Sequence, residues 1–98
     1  MLTNKIILIA GGATGIGRAT AELCAQRGAR VIIADFNAAE GQAAARATGG
    51  TFIQVDVTDE ASVRAMCAQI ATSHGRLDGL ATTAGILKGA YVALEDLD

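Results

Sequence analysis

The sequence contains no proline, no tryptophan and only three aromatic residues. Charged side chains make up 18% of the 98 residues and hydrophobic ones 51%, which is typical of a soluble globular chain rather than a disordered one. A chain of this length forms one domain at most, with a modest hydrophobic core. We therefore expect residues 1–98 to form a single domain.

An excess of basic residues is also lacking. Eight Lys and Arg against ten Asp and Glu give a net charge of −2, which offers no electrostatic footprint for nucleic acid or an anionic membrane. No apolar run approaches the roughly 18 residues of a membrane span, and the start of the sequence lacks the features of a signal peptide. These absences predict a cytoplasmic protein without nucleic-acid or membrane partners.

Cysteine is scarce, and its two positions are far apart. Cys24 and Cys67 form neither a CxxC pair nor a Cys/His cluster. Each falls on the apolar face of a predicted helix, where a reduced cysteine behaves as a small hydrophobic residue. We therefore predict two free thiols and no metal site.

What the sequence does have is a regular alternation of short apolar runs with segments of helical periodicity. The apolar runs predict strands at residues 5–10, 30–35, 51–56 and 77–82. The periodic segments predict helices at residues 15–27, 37–48 and 59–74. This βαβαβαβ order with right-handed crossovers predicts an α/β fold, a doubly wound parallel sheet with helices on both faces.

The apolar positions also predict which helix faces are buried, and polar residues predict where two helices begin. On the first helix the predicted buried face is Ile16, Ala19, Leu23 and Cys24. On the third helix it is Val63, Met66, Cys67, Ile70 and Ala71. Asn37 is the predicted N-cap of the second helix, and either Thr58 or Asp59 caps the third.

Four glycines, at positions 11, 12, 15 and 17, directly follow the first predicted strand. Glycine loses more backbone entropy on folding than any other residue, so the cluster needs a geometric reason. At a helix start, free N–H groups and the helix dipole favour a phosphate, and glycine lets the backbone approach a pyrophosphate. The spacing fits neither GxGxxG, because Thr20 takes the third position, nor a P-loop.

The spacing Gly11-xxx-Gly15-x-Gly17 resembles the TGxxxGxG motif of the short-chain dehydrogenase/reductase family. Epimerase-type relatives with GxxGxxG fit less well, because Thr14 stands at their middle glycine. Three further matches follow in order: Asp35 after the second strand, Asp56-Val57 after the third, and Thr82-Thr83-Ala84-Gly85 where the family usually has Asn-Asn-Ala-Gly. The resemblance covers the whole chain and implies a Rossmann-type fold with strand order 3-2-1-4.

The resemblance implies a site for NAD(H). The glycine loop would hold the pyrophosphate, with backbone N–H groups at Thr14 and Ile16, and Asp56 and Val57 would line the adenine. Asp56 could instead serve as a helix cap near Thr58. The full set of expected cofactor-binding residues is Gly11, Thr14, Gly15, Ile16, Gly17, Asp35, Phe36, Asp56, Val57, Thr82, Ala84 and Gly85.

Asp35 favours NAD over NADP. A carboxylate at the end of the second strand accepts hydrogen bonds from the adenosine ribose hydroxyls, whereas it repels a 2′-phosphate. Thr14 and Phe36 stand where phosphate-accepting relatives often carry a basic residue. A purely structural role for Asp35, beside Asn37 at the start of the second helix, is the alternative.

The sequence departs from the family pattern in its strand bracing and its catalytic residues. Ala10 replaces the usual Thr, and Thr82 and Thr83 replace Asn-Asn. In the family, that Thr and an Asn help to connect the first strand to the fourth. Their replacement therefore predicts weaker dinucleotide binding. The YxxxK motif and its upstream Ser do not occur, because Tyr91 is followed four positions on by Glu95.

We expect a truncated, inactive N-terminal half of an NAD-dependent oxidoreductase acting on an alcohol or carbonyl, homo-oligomeric when complete. The alternative is a non-catalytic dinucleotide-binding module or fragment completed by a partner chain. The resemblance implies that the substrate pocket is built from later residues.

Overall fold

A computed structural model describes residues 2–82, in which strands and helices alternate. The elements are β1 (Ile6–Ala10), α1 (Gly15–Gln26), β2 (Arg30–Asp35), α2 (Ala38–Thr48), β3 (Thr51–Gln54), α3 (Glu60–His74) and β4 (Gly79–Thr82). The four strands form one parallel sheet in the order β3-β2-β1-β4. This order confirms the predicted Rossmann-type α/β fold. No helix within residues 2–82 combines the length and apolar character needed to cross a membrane.

The two outer strands are shorter than the sequence predicts. β3 ends at Gln54 because Gln54 lies opposite Asp35, the last residue of β2. The residues after Gln54 therefore have no strand residue of β2 with which to pair. β4 begins at Gly79, which pairs with Ile7 of β1. Val55 and Asp56, which the sequence predicts as strand residues, therefore belong to the loop that leads into α3.

Alternate strand residues face opposite helix layers, as the pleat of a strand requires. One layer packs α3 against the sheet, through a cluster that includes Leu8, Ile32, Val55, Met66 and Ile70. The other layer packs α1 and α2 against the opposite face, through a cluster that includes Ile9, Val31, Ile33, Ala21 and Ala44. Both faces of the central strands are covered, which explains their continuous apolar runs.

The buried face predicted for α1 is wrong at three of its four positions, since only Cys24 packs against the core. Ile16 is 77% exposed and Leu23 is 48% exposed, Ala19 is exposed, and Cys24 is half-buried. The buried residues of α1 are instead Gly17 and Ala21. The physical reason is close approach: α1 starts against the loop that follows β1, and only small side chains fit between helix and sheet.

The predicted α3 face and the helix caps agree better with the structure. Val63, Met66, Cys67 and Ile70 are buried, and Ala71, the fifth predicted position, is half-buried. Asp59, rather than Thr58, caps α3 by accepting a hydrogen bond from the Ala61 N–H at 3.0 Å. Asn37 caps α2 as predicted, by accepting from the Glu40 N–H at 3.0 Å.

Both cysteines are free, as predicted, although they differ in burial. Cys67 is buried and Cys24 only half-buried. Burial raises the pKa of the Cys67 thiol, against a smaller opposing effect of the Arg64 charge. A protonated thiol is a poor nucleophile, so Cys67 acts as a core residue.

Hydrogen bonds of Asp78 and Arg76 connect the start of β4 to the start of β1 at the amino end of the sheet. The Asp78 Oδ2 atom accepts hydrogen bonds from the Ile6 N–H at 2.8 Å and from the Arg76 side chain at 3.0 Å. Arg76 also donates to the Asn4 carbonyl at 2.9 Å. The Ile6 amide first, and then Arg76, lower the pKa of the Asp78 carboxyl below its ordinary value of 3.8.

We expect Asp78→Asn to lower the free energy of unfolding at neutral pH. Because the folded pKa lies below the unfolded one, the carboxylate stabilises the fold at pH values above about 4, and this contribution is lost as the pH falls below that range. Urea unfolding at pH 7 and pH 3 should show a difference between variant and wild type that shrinks in acid. Glu60→Gln, in the exposed ion pair with Arg64, is the control and should change little. An equal difference at both pH values would contradict this account.

Candidate functional site

The carboxyl ends of the strands meet at one edge of the sheet. β1 and β4 pair as far as Ala10 and Thr82, and β2 and β3 pair as far as Asp35 and Gln54. The chain fills the sheet on one side of β1 with β2 and β3 and then crosses to β4 on the other side. In open α/β sheets, ligands bind outside the carboxyl ends of the strands, at the point where the order reverses. The candidate site therefore lies beyond the carboxyl end of β1.

The glycine loop lies at this edge and leads directly into α1. The Gly11 N–H donates to the Ala34 carbonyl at 2.8 Å, which fixes the start of the loop to β2. Gly11 and Gly15 have positive φ angles of 78° and 60°, a conformation that residues with a Cβ rarely adopt. Glycine at these two positions thus allows the chain to turn from strand to helix.

The start of α1 is suited to an anion. Thr14 is the N-cap residue, but its side chain makes no capping hydrogen bond, and the first turn contains no acidic residue. The first N–H groups of a helix have no partner within the helix and carry the positive end of its dipole. A phosphate at this position would supply acceptors that the Thr14 side chain does not.

Gly17 allows the first turn of α1 to lie against the loop. A Cβ at this position would overlap the Gly11 carbonyl oxygen and would lie 3.1 Å from the Gly12 Cα. The conflict is with backbone atoms, which cannot move aside as a flexible side chain could. Gly17 is therefore required for the close approach of helix and loop.

Asp35 joins the glycine loop to the start of α2. Its Oδ2 atom accepts a hydrogen bond from the Ala13 N–H at 3.2 Å, and its Oδ1 atom accepts from the Asn37 N–H at 3.1 Å. The structural role left open by the sequence is therefore present. Each carboxylate oxygen can accept two hydrogen bonds, so Asp35 keeps acceptor capacity for a ligand.

A cleft of about 290 Å³ opens beside Asp35. This volume is just below the range of about 300–1,000 Å³ that is usual for small-molecule sites, and it suits one part of a larger ligand. Phe36 and Val57 are 69% and 40% exposed, which puts apolar surface beside the carboxylates. The lining residues come from the ends of three strands: Gly11, Ala34, Asp35, Phe36, Val55, Asp56, Val57 and Thr58.

Asp56 presents an ionised carboxylate to this cleft. Its Oδ1 atom accepts hydrogen bonds from the Thr58 hydroxyl at 2.6 Å and the Thr58 N–H at 3.0 Å. These two bonds, the hydroxyl first, lower the pKa of Asp56 below its ordinary value. No residue of the described part of the chain donates a hydrogen bond to Oδ2, so that atom is available to a ligand.

Several expected site residues lie apart from the cleft or outside the described structure. Thr14, Gly15, Ile16 and Gly17 form the start of α1 and do not line the cleft. Thr82 ends β4 opposite Ala10, at the same sheet edge but also outside the lining of the cleft. Ala10 is fully buried, and the β1–β4 pairing continues to this last pair. Ala84 and Gly85 lie outside the described residues, as do Thr83 and Tyr91.

Sequence reasoning missed two of the contacts that shape the site. The Asp35–Ala13 hydrogen bond joins two residues that no sequence pattern pairs. Ser62, interpreted only as a helix residue, accepts a hydrogen bond from the Asp56 N–H at 2.9 Å. Its place in the first turn of α3, next to the Asp56 loop, was the available signal.

Comparison with known proteins gives consistent matches along the chain. Residues 5–98 match the family described as short chain dehydrogenase. The chain is 42% identical over 99% of its length to (+)-cis,cis-nepetalactol synthase NEPS3 of Nepeta racemosa, and 39% identical over 99% to (+)-borneol dehydrogenase 1 of Salvia officinalis. It spans only 37% and 38% of the lengths of these two relatives.

A solved structure has the same fold. A crystal structure described as ribose-5-phosphate isomerase from Brucella melitensis 16M is 39% identical and superimposes with a TM-score of 0.82, over 86% of this chain and 33% of that one. The sheet order, the glycine loop after β1 and the family match over residues 5–98 agree. The chain belongs to the short chain dehydrogenase family.

Proposed function

We propose that this chain is the NAD-binding half of an oxidoreductase that transfers hydride between nicotinamide and an alcohol or carbonyl carbon. The observation that carries the proposal is the contact between the glycine loop and Asp35: Gly11 and Asp35 both line the cleft, and the Ala13 N–H donates to Asp35 Oδ2 at 3.2 Å. The proposed anion site at the start of α1 and the proposed ribose-binding carboxylate of Asp35 would therefore be neighbours, as a dinucleotide requires.

The start of α1 and the neighbouring cleft together fit an adenosine diphosphate group. The N–H groups that start α1 would hold the pyrophosphate, since Thr14 does not cap them and Gly17 keeps the loop close to the helix. Asp35 would accept hydrogen bonds from the adenosine ribose. When bound, NAD supplies the hydride acceptor; the residues of this chain bind and orient it.

The adenine would lie between apolar and acidic groups at the end of β3. Val57 exposes apolar surface beside the carboxylate of Asp56, whose Oδ2 atom could accept a hydrogen bond from the adenine amine. Phe36, next to Asp35, adds a largely exposed aromatic ring at the rim of the cleft. This arrangement offers a stacking surface together with one polar group that identifies the base.

The negative charge of Asp35 favours NAD over NADP. A 2′-phosphate would be placed near an ionised carboxylate, with the exposed ring of Phe36 as the next residue instead of a basic side chain. Like charges at close range are unfavourable. We therefore propose that the site is specific for NAD.

The acid/base residues of hydride transfer are proposed to lie outside this chain. The one tyrosine, Tyr91, is followed four positions on by Glu95 rather than Lys, so the chain alone should be inactive. One relative is named a borneol dehydrogenase, which agrees with a small-molecule alcohol substrate. Assembly as a homo-oligomer and a cytoplasmic location remain predictions.

A fluorescence titration with NADH, using NADPH as the control ligand, tests this proposal. The sequence contains no tryptophan, so nicotinamide emission can be followed with little protein background. We expect saturable NADH binding at least about tenfold tighter than NADPH binding, since a hydrogen bond to a charged group contributes about 1.5–3 kcal/mol. Equal affinities would contradict NAD specificity, and no binding of either would contradict the proposed function.

A further inference from the structure

The loop between β3 and α3 uses nearly all the polar groups of Asp56 to fix its shape. The Asp56 N–H donates to Ser62 Oγ at 2.9 Å, and its carbonyl accepts from the Asp59 N–H at 3.0 Å. Its Oδ1 atom accepts two hydrogen bonds from Thr58. Only Oδ2 receives no hydrogen bond from the described residues, and it belongs to a carboxylate that lines the cleft.

We propose that Ser62 is a positioning residue for adenine recognition, since it holds the Asp56 backbone so that the free carboxylate oxygen and the Val57 side chain both line the cleft. This inference rests on the proposed function, because it assigns a role toward the adenine of a bound dinucleotide. Ser62 contacts no ligand in this proposal and acts through Asp56.

The position of Ser62 in the fold explains why it can do this. β3 ends at Gln54, so the Asp56 amide lies beyond the strand ladder and needs another acceptor. Ser62 lies in the first turn of α3, whose start is already capped by Asp59. The Ser62 hydroxyl is therefore free to accept from the loop, and α3 is itself anchored through Val63 and Met66.

Thr58 holds the side chain of Asp56, as Ser62 holds its backbone. Its hydroxyl and N–H both donate to Oδ1, which restricts rotation of the carboxylate and leaves Oδ2 without a hydrogen bond from the described residues. Loss of the Ser62 contact would release the backbone, and loss of the Thr58 hydroxyl would release the carboxylate. Either change should weaken recognition of the adenine amine while leaving the glycine loop intact.

The experiment compares NADH with reduced nicotinamide hypoxanthine dinucleotide, in which a carbonyl oxygen replaces the adenine amine. We expect wild type to bind NADH about tenfold more tightly than the analogue. In Ser62→Ala this ratio should fall to about twofold, and Ser62→Thr should restore it. Ser73→Ala, the same change at an exposed position near the end of α3, should keep the wild-type ratio.

Thr58→Val gives an independent test if Ser62→Ala does not fold, and its ratio should also fall. A ratio unchanged in Ser62→Ala and Thr58→Val would overturn the inference while the proposed function stands. Equal binding of both dinucleotides by wild type would overturn the inference as well. Failure of wild type to bind either dinucleotide would instead contradict the proposed function.

Discussion

Gly17→Ala is expected to lower NADH affinity at least about 100-fold and to reduce the free energy of unfolding by about 1–3 kcal/mol. The added Cβ would overlap the Gly11 carbonyl oxygen, so the first turn of α1 must move away from the loop. The N–H groups that are proposed to hold the pyrophosphate would then no longer converge. NADH titration and urea unfolding measure the two effects.

Gly49→Ala separates the loss of binding from the loss of stability. Gly49 ends α2 with a φ angle of 69°, and a Cβ there would meet no atom within 4 Å. The variant should lose about 1 kcal/mol through backbone strain while binding NADH as wild type does. If Gly17→Ala bound NADH normally, the glycine loop would not be the pyrophosphate site.

The second large effect is expected for Asp35→Asn, which should bind NADH about 10- to 100-fold more weakly. The neutral amide forms weaker hydrogen bonds to the ribose hydroxyls than the carboxylate does. Repulsion of a 2′-phosphate is removed at the same time, so NADPH affinity should rise or stay unchanged. Titrations with both reduced cofactors give the NADH/NADPH affinity ratio, which should fall by at least about tenfold.

Glu40→Gln is the matched control for Asp35→Asn. Glu40 is an exposed acidic residue in the first turn of α2, so its removal changes the local charge by the same amount without touching the cleft. The affinity ratio should stay near that of wild type. An equal fall in both variants would mean that general charge, rather than the Asp35 contact, determines the preference.

The fold could be predicted from the sequence because its main features are local. Apolar runs marked all four strands, and caps such as Asn37 marked helix starts. The buried face of α1 could not be found in this way, because it depends on how closely Gly17 approaches Gly11. Large apolar residues such as Ile16 then remain on the outside, against the usual helical pattern.

The candidate site was predictable in its residue types but not in its contacts. The positions of Asp35 and Asp56 after successive strands were enough to place both at one sheet edge. The bonds from Ala13 to Asp35 and from Asp56 to Ser62 depend on loop conformations that no periodic pattern encodes. These contacts decide which carboxylate oxygens remain available to a ligand.

A backbone amide NMR map of the isotope-labelled protein, recorded with and without NAD, tests the central claim most directly. We predict that the shifted amides fall in residues 11–17, 35–37 and 55–58, and that AMP alone shifts mainly the last two groups. These groups correspond to the pyrophosphate, the ribose and the adenine. Shifts confined to the opposite edge of the sheet, around Asp78 and Arg76, would contradict the account.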